Sequence, residues 1–226
     1  PLAACALTNL AALALLQRLP RRPVTAEPEH AAAAVGPEYP DLLRAARWLL
    51  PQSYVFVATL SPVLPHRLAE LGTPIAESAV AASWMLARFV TLVLMARLPF
   101  WHGRWGALAA AATALMAGVA LALVWPSLGG VVVGLVLLGA GMGITYYASL
   151  YYALAVGHAA VDAGGGFEAL IGLGYMLGPL LGLVGPWLPE VGQEGTGTVV
   201  LAWVIGLGGA LAVGRHYLSA RRRRPR

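Results

Sequence analysis

Residues 105–161 read WGALAAAATALMAGVALALVWPSLGGVVVGLVLLGAGMGITYYASLYYALAVGHAAV, 57 residues without an Asp, Glu, Lys or Arg. A membrane-spanning helix takes about 20 apolar residues, so the stretch is too long for one span and holds two. Pro126-Ser127-Leu128-Gly129-Gly130 supplies the turn between them, since Pro and Gly punctuate helices. Backbone groups in hydrocarbon must be satisfied within a helix or a closed barrel. The stretch is rich in Ala, Leu and Gly and lacks the alternation of barrel strands, so helices are expected.

Outward from this stretch the same reading repeats. Seven apolar runs reach membrane length: 1–17, 48–66, 75–97, 106–125, 129–156, 166–187 and 197–217. Charged residues make up 11% of the chain, well below the roughly 25% of a soluble domain. All fifteen basic residues are arginines. Threading the runs up and down puts thirteen of them on one face, with Arg67 on the other and Arg88 inside a run. Such a bias marks the cytoplasmic side. The chain is therefore expected to be a multi-pass protein of the cell (inner or plasma) membrane, with its C-terminus cytoplasmic. The net charge of +5 flanks spans and does not form one solvated face, so no nucleic-acid partner is expected. The basic tail, 221–226, reads as a topology anchor that meets anionic lipid.

The absence of lysine excludes a phosphate-binding loop of the Gly-Lys-Ser/Thr type and a retinal Schiff base. Cys5 has no second cysteine to pair with and reads as a packing residue. Residues 1–17 lack a basic leader, and Arg18, Arg21 and Arg22 behind them resemble a stop-transfer signal. Pro1 therefore reads as a truncated start within a longer chain. Residues 18–47, with Pro20, Pro23, Pro28, Pro37 and Pro40, have linker composition. Within them Asp41 to Trp48 is expected as a short amphipathic helix on the membrane surface, with Leu42, Leu43, Ala46 and Trp48 inward and Arg44 and Arg47 outward.

The six later spans form one bundle, 48–220, and differ in polarity. The third (106–125) and sixth (197–217) are nearly devoid of polar side chains, whereas the other four carry several. Intramembrane polar groups are costly unless they face protein or water. The third and sixth spans are thus expected to face lipid and the other four to surround a polar interior, a three-plus-three arrangement. Pro62 and Pro65 are expected to interrupt the first of the six and Pro179 the fifth, as in the discontinuous helices of transporters built from repeats.

Three motifs carry a family resemblance. They are Leu60-Ser61-Pro62-Val63-Leu64-Pro65 followed by Leu71-Gly72, the basic loop Ala96 to Gly106 with Gly103-Arg104, and Gly174-Tyr-Met-Leu-Gly178-Pro179-Leu-Leu-Gly182. In their order, and with the topology and linker, the chain resembles the C-terminal half of a major facilitator superfamily transporter. The basic loop lacks the acidic residue common in that family. The resemblance implies an all-α polytopic membrane protein. It would comprise the end of a preceding helix (1–17), a central cytoplasmic linker (18–47), a six-helix bundle (48–220) and a basic tail (221–226). It also implies a missing N-terminal six-helix half as partner, a small-molecule substrate, the lipid bilayer as surroundings and no cofactor.

The candidate cavity residues follow from the cost of polar groups in hydrocarbon. Arg88 lies nine residues before Arg97, hence about 13 Å deeper at about 1.5 Å per residue. An unpaired arginine near mid-membrane costs at least about 2.5–3.5 kcal/mol. A carboxylate, a watery cavity or an anionic substrate would offset this, and a structural role with backbone carbonyls is the alternative. Glu77, Trp84 and Arg88 fall within about 20° of one helical line. Glu168 opens the fifth span of the bundle and reads as a gate ion pair, as a charge favoured by the helix dipole or as a group coupling transport to protons. Tyr175 shares its face. Tyr146, Tyr147, Tyr151 and Tyr152 cluster in the fourth span, where Thr145, Ser149 and Tyr152 form one stripe and Tyr147 and Tyr151 another. Tyrosine marks either the interface or a cavity wall. Thr59 completes the set.

The small-residue ladders Gly139/Gly143, Gly174/Gly178/Gly182 and Gly206/Ala210/Gly214 read as packing seams. His158 and Asp162 read as loop polarity, with no metal site. The expected function is a secondary transporter working by alternating access, not an enzyme and without catalytic residues. The alternatives are a membrane-embedded enzyme acting on a lipid and a non-transporting seven-helix receptor.

Overall fold

The computed structural model describes residues 36–72, 77–156, 161–184 and 196–223. The apolar run 1–17, the linker up to residue 35, His158 and the end of the tail lie outside the described residues, as do the side chains of Glu77, Asp162 and Val184. The described residues are all-helical, without a strand. Six helices follow one another: α1 (Tyr39–Glu70), α2 (Glu77–Arg97), α3 (Trp105–Val124), α4 (Leu128–Val156), α5 (Val161–Val184) and α6 (Thr196–Arg223). A 3-10 turn, Pro99–Trp101, lies between α2 and α3. The segments Ala79–Arg97, Trp105–Val124 and Leu128–Val156 are each long and apolar enough to cross a membrane. That is compatible with a membrane-embedded protein.

The helix boundaries have local causes. Gly72 ends α1 with φ +69°, a conformation that side chains with a Cβ avoid, and its N–H donates to the Ala69 carbonyl at 3.0 Å. The α3–α4 turn falls at the expected Pro126 segment. Ser127 Oγ accepts the Gly130 N–H at 3.3 Å, the side-chain cap that a serine gives to a helix start.

Four expectations need correction. Helix α1 begins at Tyr39 and runs unbroken to Glu70, so residues 39–47 continue the first span and do not form a separate surface helix. Leu42, Leu43 and Ala46 are buried as expected, but Trp48 is 56% exposed. Pro51, Pro62 and Pro65 all lie inside α1, and Pro179 lies inside α5, without breaking either helix. Packed neighbours allow such helices to re-satisfy the freed carbonyls. Finally, polarity did not rank exposure: α2, not α3, is the least buried of the three long apolar spans. Helix α2 shelters one polar stripe and leaves Met85, Leu86, Phe89 and Val90 exposed, whereas the small residues of α3 let it nest closely against α4.

Helices α1 and α4 form the centre. The main packing partners of α1 are α4, α5 and α6, and those of α4 are α1, α2 and α3. Exchanging α1 with α4, α2 with α5 and α3 with α6 returns the same set of main pairs. Glycines permit the closest approaches. A Cβ on Gly139 would strike the Trp84 backbone carbonyl, and one on Gly143 would lie 3.0 Å from the Arg88 carbonyl oxygen, at the α2–α4 seam. Gly174 and Gly178 do the same for α5 against Pro51, Tyr54 and Ala58 of α1. The two core clusters lie along α1. One gathers Tyr54, Phe56, Leu60 and Leu64 with Leu135, Leu138 and Met142. The other gathers Leu42, Leu49, Met95, Trp101, Leu108 and Tyr152, at the end of the bundle where Arg44, Arg97 and Arg104 also lie.

Candidate functional site

Arg88 is held between the two central helices. Its Nη2 donates to the Tyr54 hydroxyl of α1 at 2.9 Å. The guanidinium also lies 5.1 Å from the ring centre of Tyr146 on α4 and 5.6 Å from that of Tyr54. Tyr54 in turn meets Tyr175 of α5 (ring centres 5.0 Å apart), and Tyr146 meets Phe167 of α5 at the same distance. Four helices thus converge on one cation. Among the described residues the ion pairs are Arg44–Asp41, His66–Glu70 and Arg67–Glu70, so no described carboxylate neutralises Arg88. A desolvated cation–π contact is worth about 2 kcal/mol and a hydrogen bond to a charged group about 1.5–3 kcal/mol. Together they are large enough to offset an insertion cost of about 2.5–3.5 kcal/mol. The tyrosines stabilise the charge without cancelling it.

Trp84, one turn along α2, lines a cavity of about 290 Å³ with Val57, Leu60, Ser61, Leu64 and Pro65 of α1, Ala81 of α2 and Leu135 and Leu138 of α4. The backbone of Glu77 lies on the same helix, while its side chain is outside the described residues. Thr59 is 5% exposed, and its Oγ1 finds no hydrogen-bond partner among the described residues. An unsatisfied buried hydroxyl costs about 1–3 kcal/mol. Thr59→Val is therefore expected to raise the melting temperature of the detergent-solubilised protein by a few degrees, read by intrinsic fluorescence. A lowered melting temperature would mean that the hydroxyl has a partner.

The remaining tyrosine candidates do not join Arg88. Tyr147, Tyr151 and Tyr152 pack with Tyr39, Trp101 and His102 at the other core cluster. Trp101 is 2% exposed and donates its indole N–H to the Met95 carbonyl at 2.9 Å. Gly103, at φ +68°, gives its N–H to the Tyr152 hydroxyl at 3.1 Å. The Gly103-Arg104 element thus docks the α2–α3 connection onto α4. Ser149 donates to the Ala46 carbonyl of α1 at 3.2 Å, and Thr145 to its own helix at Gly141 (2.8 Å). The expected stripe of Thr145, Ser149 and Tyr152 is fully buried and forms an α1–α4 seam with its hydroxyls bonded to backbone.

Glu168 lies eight residues into α5 and is exposed. The dipole effect fades within the first turn, so that reading of Glu168 is withdrawn. Phe167 beside it is buried and reaches Tyr146. Tyr175 is 48% exposed while keeping its contact with Tyr54. Tyr54 was not foreseen as a site residue, and Tyr146 was noted only within its cluster.

His102 stacks on Tyr151 with ring centres 4.3 Å apart and planes 8° from parallel. Burial lowers its pKa below the ordinary 6.5, because desolvation disfavours the charged imidazolium. The folded state then binds this proton less readily than the unfolded chain. Its contribution to stability is complete above about pH 6.5 and is lost as pH falls below that value. The melting temperature is expected to drop between pH 7.5 and pH 5.5 by more in the wild type than in His102→Phe. Parallel pH profiles would remove His102 as the cause.

No protein-family model, curated protein or solved structure matches the chain.

Proposed function

We propose that this chain is the C-terminal bundle of a secondary carrier of the major facilitator type, moving a small anionic solute by alternating access. The observation that carries the reading is the uncancelled charge of Arg88 at the meeting point of α1, α2, α4 and α5. A carboxylate partner would have neutralised that cation; two tyrosine faces and a hydroxyl leave its Coulomb attraction available to an anion. The exchange of α1 with α4, α2 with α5 and α3 with α6 fits a bundle of two three-helix repeats. With alternating helix direction the repeats would be inverted, an arrangement that in carriers places the substrate site where the repeats meet. The small-residue seams of α2 on α4 and α5 on α1 suit helices that slide while staying in contact.

In this reading the missing N-terminal six-helix half closes the cavity, and the C-terminus is cytoplasmic in the cell membrane. Glu168 then belongs to a face open to that half, as a gate or proton-coupling residue. The test is a thermal-shift panel on the full-length gene product, with monocarboxylates, dicarboxylates, inorganic phosphate, neutral sugars and amines at pH 6 and pH 8. Saturable stabilisation by anions supports the reading. Stabilisation confined to neutral or cationic solutes would overturn the assignment of charge.

A further inference from the structure

A second cavity, of about 650 Å³, opens between α1 and α6 and is lined by Arg44, Trp48, Gly208, Leu211, Ala212, Arg215, His216 and Ser219. The lining is graded. Arg44 of α1 and Arg215, His216 and Ser219 of α6 lie toward the helix ends that carry the basic residues. Trp48, Gly208 and Leu211 lie deeper. From Gly208 to Ser219 the wall rises about 16 Å at about 1.5 Å per residue, the length of a phosphoglycerol group and the first part of an acyl chain.

Arg44 is partly engaged, with Nη1 donating to Asp41 at 3.0 Å. Arg215 has no carboxylate partner among the described residues. Both arginines are exposed, and Trp48 and Leu211 offer exposed apolar surface beneath them.

We propose that this cavity is a binding site for an anionic phospholipid, with the phosphate between Arg44 and Arg215 and an acyl chain along Trp48, Leu211 and Gly208. A basic pocket between membrane helices at one bilayer face matches an anionic headgroup in charge. The apolar floor selects a lipid over a free anion. Tryptophan at that depth is suited to the boundary between headgroup and hydrocarbon. The inference rests on the membrane placement of the helices and not on the carrier reading or on Arg88.

The test is native mass spectrometry of the full-length protein, purified in mild detergent and titrated with phosphatidylglycerol or phosphatidylcholine. Phosphatidylglycerol should be retained at least fivefold more strongly. Arg44→Gln and Arg215→Gln should each weaken that preference about fivefold while leaving the melting temperature unchanged. Arg221→Gln, in the exposed end of α6, should leave it intact. Equal retention of the two lipids, a preference that survives both substitutions, or an equal loss in Arg221→Gln would each overturn the site. Displacement of the lipid by millimolar inorganic phosphate would overturn the lipid assignment in favour of a free-anion site.

Discussion

Arg88→Gln is expected to reduce transport at least a hundredfold while leaving the protein folded and inserted. Glutamine keeps an amide that can still bond the Tyr54 hydroxyl, so the link between α1 and α2 survives in part. It removes a charge whose placement in the bilayer costs about 2.5–3.5 kcal/mol, so stability should hold or rise slightly. What it cannot do is attract an anion. Two charge-assisted hydrogen bonds of about 1.5–3 kcal/mol each amount to two or more decades in rate, at about 1.4 kcal/mol per decade. The measurement is uptake into proteoliposomes of whichever anion stabilises the full-length protein, alongside the melting temperature of the variant. Unchanged uptake kinetics would place Arg88 outside the site. A collapse of the melting temperature would instead make it a structural tie between α1, α2 and α4.

The partners of Arg88 show how far the sequence could be read. Its depth and its need for compensation followed from its nine-residue distance from Arg97 and from the cost of charge in hydrocarbon. Tyr54 was legible in principle: it lies seven residues beyond Arg47, a depth of about 10 Å at about 1.5 Å per residue, near that of Arg88. Finding it needed the knowledge that α1 and α4 are central, which no single-helix pattern contains. The same gap misplaced Tyr147, Tyr151 and Tyr152. Their helical stripes were correct, but their role depended on Trp101 and Gly103 folding back over them.

Glu168 was misread because Val161 to Gly166 is glycine-rich and helical only in context. The exposed face of α2 was misread because polarity reports what a helix must hide, not how much of it is hidden. The turn at Pro126 was legible because Pro and Gly act through local backbone geometry alone.

Gly134→Ala is expected to be the most destabilising single-methyl change in the bundle. At the α3–α4 crossing a Cβ on Gly134 would lie 2.5 Å from the Ala122 nitrogen and 2.7 Å from the Gly118 carbonyl oxygen. The facing glycine is equally constrained, since a Cβ on Gly118 would lie 2.6 Å from the Leu138 nitrogen. These are backbone atoms, so no rotamer change relieves the clash and the two helices must move apart. Separation loosens Leu115, Val119, Leu135 and Leu138, all buried in one cluster.

Overpacking alone costs about 1–3 kcal/mol, and partial loss of four buried side chains raises the total to about 4 kcal/mol, at the rare end for point changes. For a domain of this size that corresponds to a drop of roughly 10 °C in melting temperature. Gly172→Ala provides the control, because nothing lies within 4 Å of its Cβ position. Removing a helical glycine there should be neutral or stabilising by about 0.5–1 kcal/mol. Melting of the two variants in the same detergent separates the effects. Equal melting temperatures would mean that α3 and α4 do not cross at Gly118 and Gly134. The close nesting that sets α3 against the central helix would then be lost as well.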